Sequence, residues 1–271
     1  MSKNSSSFKS KFESAFASVA ILVAFLVAYL LFTNLMGDPV NFEGGNPKGH
    51  PLPGNYMGML YKGGAIVPVL MTCILVLLIF VMERFITLKK AQGKGNLDAF
   101  VANIQVLTAK DKIEDAIKAC DTQKGSLANV TKAGLERYRD LESDKTLEKD
   151  QKITSMKQAL EEASALELPM LSKNMVILST LASISVLIGL IGTVIGMIKA
   201  FSALAQSGAP DALALSAGIS EALINTAFGI SGSTFAIIAF NYFSSKIDGY
   251  TFKIDEAGFS LTQTFAASIR K

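Results

Sequence analysis

Residues suited to catalysis and metal binding are scarce in this chain of 271 residues. It has a single histidine, His50, in a loop-like segment, and two cysteines, Cys73 and Cys120, with no CxxC spacing. Cys73 lies in an apolar block and Cys120 in a charged one, so the topology derived below keeps them apart. No Gly-rich phosphate loop, G-x-S-x-G sequence or paired-carboxylate arrangement occurs. The sequence therefore predicts a protein that is not an enzyme and holds no metal or cofactor.

Excess charge is also small. The formal net charge is +3, and lysines alternate with acidic residues as on a solvated helical face. No basic stripe with interleaved aromatic residues is present, so the sequence predicts no nucleic-acid binding.

Apolar residues are what the chain has in abundance. Half of the residues are hydrophobic, the mean hydropathy is +0.37, and the apolar residues form long blocks. A bilayer core of about 30 Å needs a helix of about 20 apolar residues. Four runs approach or exceed this length, at residues 15–36, 65–82, 175–198 and 222–240. The first run could be a signal peptide, but it is longer than a typical h-region and lacks a clear small-x-small cleavage site, so we predict a retained span.

Basic residues near the membrane indicate the orientation. Those expected on one side are Lys3, Lys9, Lys11, Arg84, Lys89, Lys90, Lys173 and Lys246. By the positive-inside rule, both termini and the charged loop are predicted to be cytoplasmic. The fold class predicted is all-α, a polytopic membrane protein with four transmembrane helices and a helical cytoplasmic domain. Its predicted segments are a cytoplasmic N-terminus 1–14, helix 15–36, periplasmic linker 37–64, helix 65–88, cytoplasmic domain 89–172, helix 173–203, periplasmic turn 204–212, helix 213–245 and cytoplasmic tail 246–271.

The charged loop has helical periodicity. Apolar residues recur at intervals of three and four in two short stretches, Leu97, Phe100, Val101, Ile104 and Leu107, and Ile113, Ala116, Ile117 and Cys120. This spacing predicts two short amphipathic helices, the second ended by Gly125. A longer helix is predicted to run toward the third span, and Pro169 is expected to kink it.

The third and fourth spans are predicted to form an antiparallel hairpin around a turn near 208–210. Distances along the chain then place the Thr193 and Thr226 hydroxyls at one depth in the membrane. They place Lys199 and Glu221 at another depth, about two turns nearer the outer face. Glu221 could pair with Lys199, or it could gain from the positive end of its own helix.

Each of these spans carries a face of small, weakly polar residues. The faces are Ala182, Ser185, Gly189, Thr193, Gly196 and Ala200 on one span, and Ala222, Thr226, Gly229, Ser233 and Phe240 on the other. One interpretation is close helix packing, with Gly189, Gly192, Gly196 and Gly229 as packing positions. The other is a proton-pathway wall lined by Thr193, Thr226, Ser233 and Asn225, with Lys199 and Glu221 as a charge pair near its outer end. Asn225 and Glu221 favour the second, because polar groups in a bilayer need a partner or a wet cavity.

The centres of the four spans contain no Asp, Glu, Lys, Arg or His. If protons cross the membrane here, the titrating group must therefore come from another chain.

Four sequence motifs resemble those of a known family. GLIGTVIGM at 189–197 and GISEALINTAFG at 218–229 resemble the GLxGTVxGM and GIxEALxxTAxG stretches of ExbB and TolQ proteins. ERFITLKK at 83–90 and EDAIKAC at 114–120 are similar to the family's ERxxxLRR and EAIxxC segments. Over roughly 66–250 the chain resembles the ExbB/TolQ/MotA proton-channel motor family, and ExbB most closely.

The resemblance implies a homopentamer in the bacterial inner membrane, in contact with lipid. It implies two copies of a single-span ExbD/TolR-like partner that supplies a membrane aspartate, and a TonB-like protein as a further contact. Protons would be the coupling ion, Thr193 and Thr226 the pore threonines, and Glu221 the outer glutamate. The implied function is conversion of proton motive force into mechanical work at the periplasm or outer membrane, with TonB-type energy transduction favoured.

Alternatives remain open at this point. Within the family they are a TolQ-, gliding- or flagellar-stator-type motor. Outside it they are a structural assembly protein or a secondary solute transporter, although no inverted repeat, broken helix or embedded charge marks a solute site.

The sequence also departs from the ExbB pattern. Two prolines expected in the last two spans are missing, Asn225 replaces a small residue, and the first span with its linker is additional to the three spans of ExbB and TolQ.

Overall fold

The computed structural model describes residues 18–144, 146–206 and 212–268, and long helices dominate these ranges. Their bounds are α1 Ser18–Met36, α2 Tyr56–Tyr61, α3 Val67–Gln92, α4 Leu97–Ala109, α5 Ile113–Gln123, α6 Ser126–Ser143, α7 Lys149–Ser172, α8 Met175–Gln206 and α9 Ala212–Ser268. Four helical stretches are long and apolar enough to cross a membrane, Ser18–Met36, Gly64–Ala109, Lys149–Ala205 and Ala212–Ser268. The predicted all-α fold with four spans is thus confirmed.

Several predicted features lie outside the described residues. They are the N-terminus 1–14 with Lys3, Lys9 and Lys11, most of the turn 204–212, and the last three residues of the tail 246–271.

The chain forms two compact units. The first comprises Met1–Met82 and Val176–Phe240, and so contains α1, the linker, most of α3, α8 and the first half of α9. The second comprises Glu83–Met175 and Asn241–Lys271, and so contains the end of α3, α4 to α7 and the second half of α9.

In the first unit, α1 has a narrow buried face. Ala20, Ala24 and Ala28 recur every four residues and are buried, whereas Leu22 and Leu26 are more than half exposed. Small residues on one face let a neighbouring helix approach, and exposed leucines suit contact with lipid. The last turn of α1 widens into a π-helix at Leu31–Met36.

The Gly/Pro-rich linker that follows α1 is folded. Tyr61 stacks on Phe32 of α1 at a centroid distance of 4.7 Å and meets Phe42 edge-on at 5.6 Å. The Lys62 ammonium donates to two linker carbonyl groups, at 3.0 Å each, and lies 5.5 Å from the centre of the Phe42 ring. Burial lowers the pKa of Lys62. Asn41, 6 % exposed, donates through its side-chain amide to carbonyl groups in the last turn of α1. The linker is therefore fixed to the end of α1.

In the second unit, the predicted amphipathic helices are confirmed as α4 and α5. Asn96 caps α4 by accepting from the backbone N–H groups of the first turn. The α5 helix ends at Gln123, where Lys124 and Gly125 take φ of 58° and 85°. Cys120 lies on the buried face of α5, and its burial raises the pKa of the thiol to about 12. It is thus an unreactive core residue at neutral pH.

A break separates α7 from α8. Pro169 stays inside α7, and the chain turns at Lys173 and Asn174, where Asn174 takes φ of 63°. The helix is interrupted at this point, four residues after Pro169, because a left-handed residue ends a helix, and the kink expected at Pro169 itself stays a prediction.

A buried arginine of the second unit fixes this break. Arg84 is 1 % exposed, and Nη1 donates to Leu171 O at 3.0 Å. Nε and Nη2 donate to the two carboxylate oxygens of Glu83 at 2.7 and 2.6 Å. Asn174 Nδ2 also donates to Glu83, at 3.3 Å. Burial of so large a cation is tolerated because these donors have acceptors.

Candidate functional site

The α8 and α9 helices approach each other through glycines. A Cβ atom at Gly229 would lie 2.7 Å from Ser185 O and 2.8 Å from Gly189 Cα. At Gly196 it would lie 2.7 Å from Ala222 N. These neighbours are backbone atoms, which cannot move aside like a flexible side chain. Gly189, Gly196 and Gly229 therefore lie at helix-packing positions, as the small-residue pattern predicts.

The two threonines meet across this contact. Thr193 Oγ1 and Thr226 Oγ1 are hydrogen-bonded to each other, and both side chains are partly exposed. Each hydroxyl is also within reach of a carbonyl one turn earlier in its own helix, Gly189 O at 3.1 Å and Ala222 O at 3.0 Å.

The direction of the threonine pair can reverse. Each hydroxyl has one proton to donate and can accept as well. In one arrangement Thr193 donates to Thr226, and Thr226 donates to Ala222 O. In the other, Thr226 donates to Thr193, and Thr193 donates to Gly189 O. A hydroxyl pair of this kind can orient water or a mobile proton without carrying charge itself.

An ion pair lies on the same hairpin. Lys199 Nζ is 2.6 Å from Glu221 Oε1, and the Glu221 side chain is 11 % exposed against 55 % for Lys199. The pairing agrees with the depths counted along the two spans. The segment before α3 covers the carboxylate, since a Cβ atom at Gly64 would lie 2.5 Å from Glu221 Oε1. Gly64 also takes φ of +74°, a conformation that favours glycine.

Replacing Gly64 by alanine is expected to displace Glu221 and weaken its pairing with Lys199. The new methyl group would occupy the carboxylate's place, and the left-handed backbone would cost about 1 kcal/mol. We expect a lower melting temperature in detergent. Gly54→Ala is a matched control, because Gly54 also takes positive φ, +79°, but has no neighbour within 4 Å. Equal effects of the two substitutions would contradict the contact with Glu221.

Two other residues predicted to line the wall are buried against different groups. Ser233, 5 % exposed, donates to Ala182 O at 2.6 Å. Asn225 is fully buried, and its amide donates to Gly63 O at 2.9 Å. Consecutive residues of a helix point about 100° apart, so Asn225 cannot share the direction of Thr226. The structure thus brings Thr193 and Thr226 together and leaves Asn225 and Ser233 in helix contacts.

The contact of α9 with residues 63 and 64 could not be predicted from the sequence alone. The sequence gives one indication of this contact, the amide of Asn225 within an apolar run. A buried amide needs a polar partner, but helical periodicity does not identify that partner. Among the described residues, no group of three or more His, Cys, Asp or Glu could hold a metal ion.

The exposed face of α8 is apolar beyond Thr193. A shallow groove of about 540 Å³ is lined by Thr193, Val194, Met197, Ile198, Phe201, Ser202 and Ala205. The Val194, Ile198 and Phe201 side chains are each nearly 60 % exposed. Thr193 therefore opens onto a surface on which another apolar helix could pack.

Comparison with known proteins places the chain in a family. Residues 122–256 match the model of the MotA/TolQ/ExbB proton channel family, a range that contains both threonines and the ion pair. The putative biopolymer transport protein ExbB-like 3 of Synechocystis sp. is 35 % identical over 94 residues, 34 % of this chain and 45 % of that protein. The Tol-Pal system protein TolQ of Pseudomonas aeruginosa is 31 % identical over 117 residues, 43 % and 51 % of the two chains.

The biopolymer transport protein ExbB of Salmonella typhimurium is 36 % identical over 73 residues, 27 % of this chain and 30 % of that protein. The chain thus spans about half or less of the length of these curated relatives. Relatives named ExbB and relatives named TolQ both match, which confirms the predicted resemblance. The prediction that the chain is not an enzyme is also confirmed, because the channels of this family are not enzymes. With its four apolar helices, this multi-pass membrane protein belongs to the MotA/TolQ/ExbB proton channel family.

Proposed function

We propose that the chain is an ExbB-like subunit of an inner-membrane motor that converts proton motive force into mechanical work on the periplasmic side. The observation that supports this most strongly is the hydrogen-bonded pair of Thr193 and Thr226, which is partly exposed beside the exposed apolar face of α8. The hydrogen bond between the two hydroxyls can run in either direction, and another helix can pack against the surface beside it. Such a pair is suited to assisting proton movement.

The protonated group is supplied by a partner in this proposal. The centres of the four spans contain no Asp, Glu, Lys, Arg or His, so in this proposal the carboxylate comes from a second protein with a membrane aspartate, as in ExbD/TolR-like chains. The apolar groove beside Thr193 is compatible with a single partner helix. One charge that crosses 100 mV releases about 2.3 kcal/mol, enough to bias a rotation between subunits.

The assembly and orientation follow the same proposal. Five copies of the chain surround two copies of the partner, and both termini face the cytoplasm. The motifs at 189–197 and 218–229 favour the ExbB and TolQ types over the MotA type, and within these two we propose the ExbB type. In that case a TonB-like protein receives the work.

Purification from native membranes in mild detergent tests the proposal. We expect a short protein with one apolar span and one aspartate in that span to co-purify. Liposomes that contain both proteins should then take up protons when a potential is applied, and liposomes that contain this chain alone should not. Solute uptake by the chain alone would identify a transporter instead and overturn the motor.

A further inference from the structure

The α9 helix carries a buried amide that a purely apolar contact would not need. Asn225 has no exposed surface, its Nδ2 donates to Gly63 O at 2.9 Å, and its Oδ1 has no hydrogen-bond partner among the described residues. A buried amide whose oxygen accepts no hydrogen bond costs free energy. Its presence in a membrane span therefore calls for a compensating role.

The space around Asn225 is shaped by glycine. A Cβ atom at Gly192 of α8 would lie 2.5 Å from Asn225 Cβ and 2.8 Å from Asn225 Nδ2. A Cβ atom at Gly63 would lie 2.8 Å from Ile224 Cγ2. Residue 225 is thus held by two separate elements, α8 on one side and the segment before α3 on the other.

Fixing Asn225 fixes the rotation of α9 about its own axis. Thr226 follows Asn225 directly, at about 100° around the helix. Glu221 lies one turn before Asn225 and contacts Gly64, so Gly63 and Gly64 touch the same face of α9 at two levels. With that face held, the next residue is directed toward Thr193.

The segment that holds α9 is itself anchored. Tyr61 lies between Phe32 and Phe42, and Lys62 is bound to linker carbonyl groups. The contacts therefore run without interruption from α1 through Tyr61 and Gly63 to Asn225.

We propose that Asn225 is a positioning residue that ties α9 to the anchored segment before α3 and thereby directs Thr226 toward Thr193. In this proposal α1 and the folded linker contribute to the pathway, because they anchor the segment that fixes the orientation of α9 near its outer end. The importance of that orientation for proton movement rests on the proposed function, but the orientation itself does not.

Disulfide formation between cysteines at the two threonine positions measures the orientation directly. Thr193→Cys and Thr226→Cys are combined in a chain with Cys73→Ala and Cys120→Ala, and disulfide yield is measured in membranes after brief mild oxidation. Asn225→Leu keeps the approximate volume of the side chain and removes the donor. We expect about a fivefold lower yield in this variant, because one buried hydrogen bond is worth about 1 kcal/mol. The disulfide yield should fall less in Asn225→Gln, which keeps the amide.

A second cysteine pair separates positioning from general loosening. Ala182→Cys with Ser233→Cys reports another contact of the same hairpin, where Ser233 Oγ lies 2.6 Å from Ala182 O. We expect its yield to be unchanged by Asn225→Leu. Unchanged yields for both pairs, or an equal fall in both, would overturn the positioning role. If the yield at Thr193 and Thr226 falls while proton flux by the native-threonine Asn225→Leu protein is unchanged, the positioning role stands and the threonine pathway fails.

Discussion

Replacing Arg84 by methionine is expected to destabilise the second unit by about 3 kcal/mol. Methionine fills much of the volume but leaves the Glu83 carboxylate and Leu171 O without their guanidinium donor. Since Asn174 is bonded to the same carboxylate, the break between α7 and α8 should open as well. Limited trypsin digestion should then cut faster after Lys173, and the melting temperature in detergent should fall.

Two controls distinguish a buried ion pair from a general loss of charge. Arg139→Met removes an arginine that is half exposed and lies 3.0 Å from Glu114, so it should destabilise the protein far less than Arg84→Met. The double variant Glu83→Gln with Arg84→Met should be more stable than Arg84→Met alone, because it removes the uncompensated charge. If Arg84→Met melts like Arg139→Met, Arg84 does not fix the break.

Replacing Gly229 by valine is expected to separate α8 from α9. The new Cβ atom would lie 2.7 Å from Ser185 O and 2.8 Å from Gly189 Cα, so only movement of a whole helix can make room for it. Overpacking of a tight contact typically costs about 1–3 kcal/mol, and lost contacts along the hairpin add to this. We expect a lower melting temperature, loss of the proposed homopentamer on size-exclusion chromatography and loss of the proposed proton flux.

The matched control lies in the same helix. Gly249 is also helical but has no atom within 4 Å of the added Cβ position. Gly249→Ala should be neutral or should stabilise α9 by up to about 1 kcal/mol. A Gly229→Val protein with the melting temperature and oligomer of the parent would show that the helices are not held together at this glycine.

Much of the architecture could be predicted because its physical causes are local in sequence. Long apolar runs mark the membrane helices, and spacing of three and four residues marks α4 and α5. The close meeting of Thr193 with Thr226, and of Lys199 with Glu221, follows from counting residues on both sides of a short turn. Those counts need only a constant rise per residue and antiparallel packing.

Other features depend on contacts between distant segments. The bonds of Asn225 to Gly63 and of Arg84 to Leu171 join residues that are 162 and 87 positions apart. Periodicity shows that a polar residue is buried but does not name its partner. The Gly, Pro and Asn content of the linker is typical of loops, and composition does not predict the aromatic contacts of Tyr61 with Phe32 and Phe42. Polarity alone predicts that Asn225 lines the pathway, whereas the structure places its amide against Gly63 O.

Proton flux through Thr226→Val is the most direct test of the threonine pair as part of a proton pathway. Valine matches the shape of threonine but cannot donate or accept a hydrogen bond to Thr193, whereas Thr226→Ser keeps the hydroxyl. Both variants should assemble with the partner. In liposomes that contain the complex, we expect Thr226→Val to lower proton flux at least about tenfold, the effect of losing about 1.4 kcal/mol of stabilisation, and Thr226→Ser to retain most of it. Flux through Thr226→Val equal to that of the parent protein would contradict the pathway.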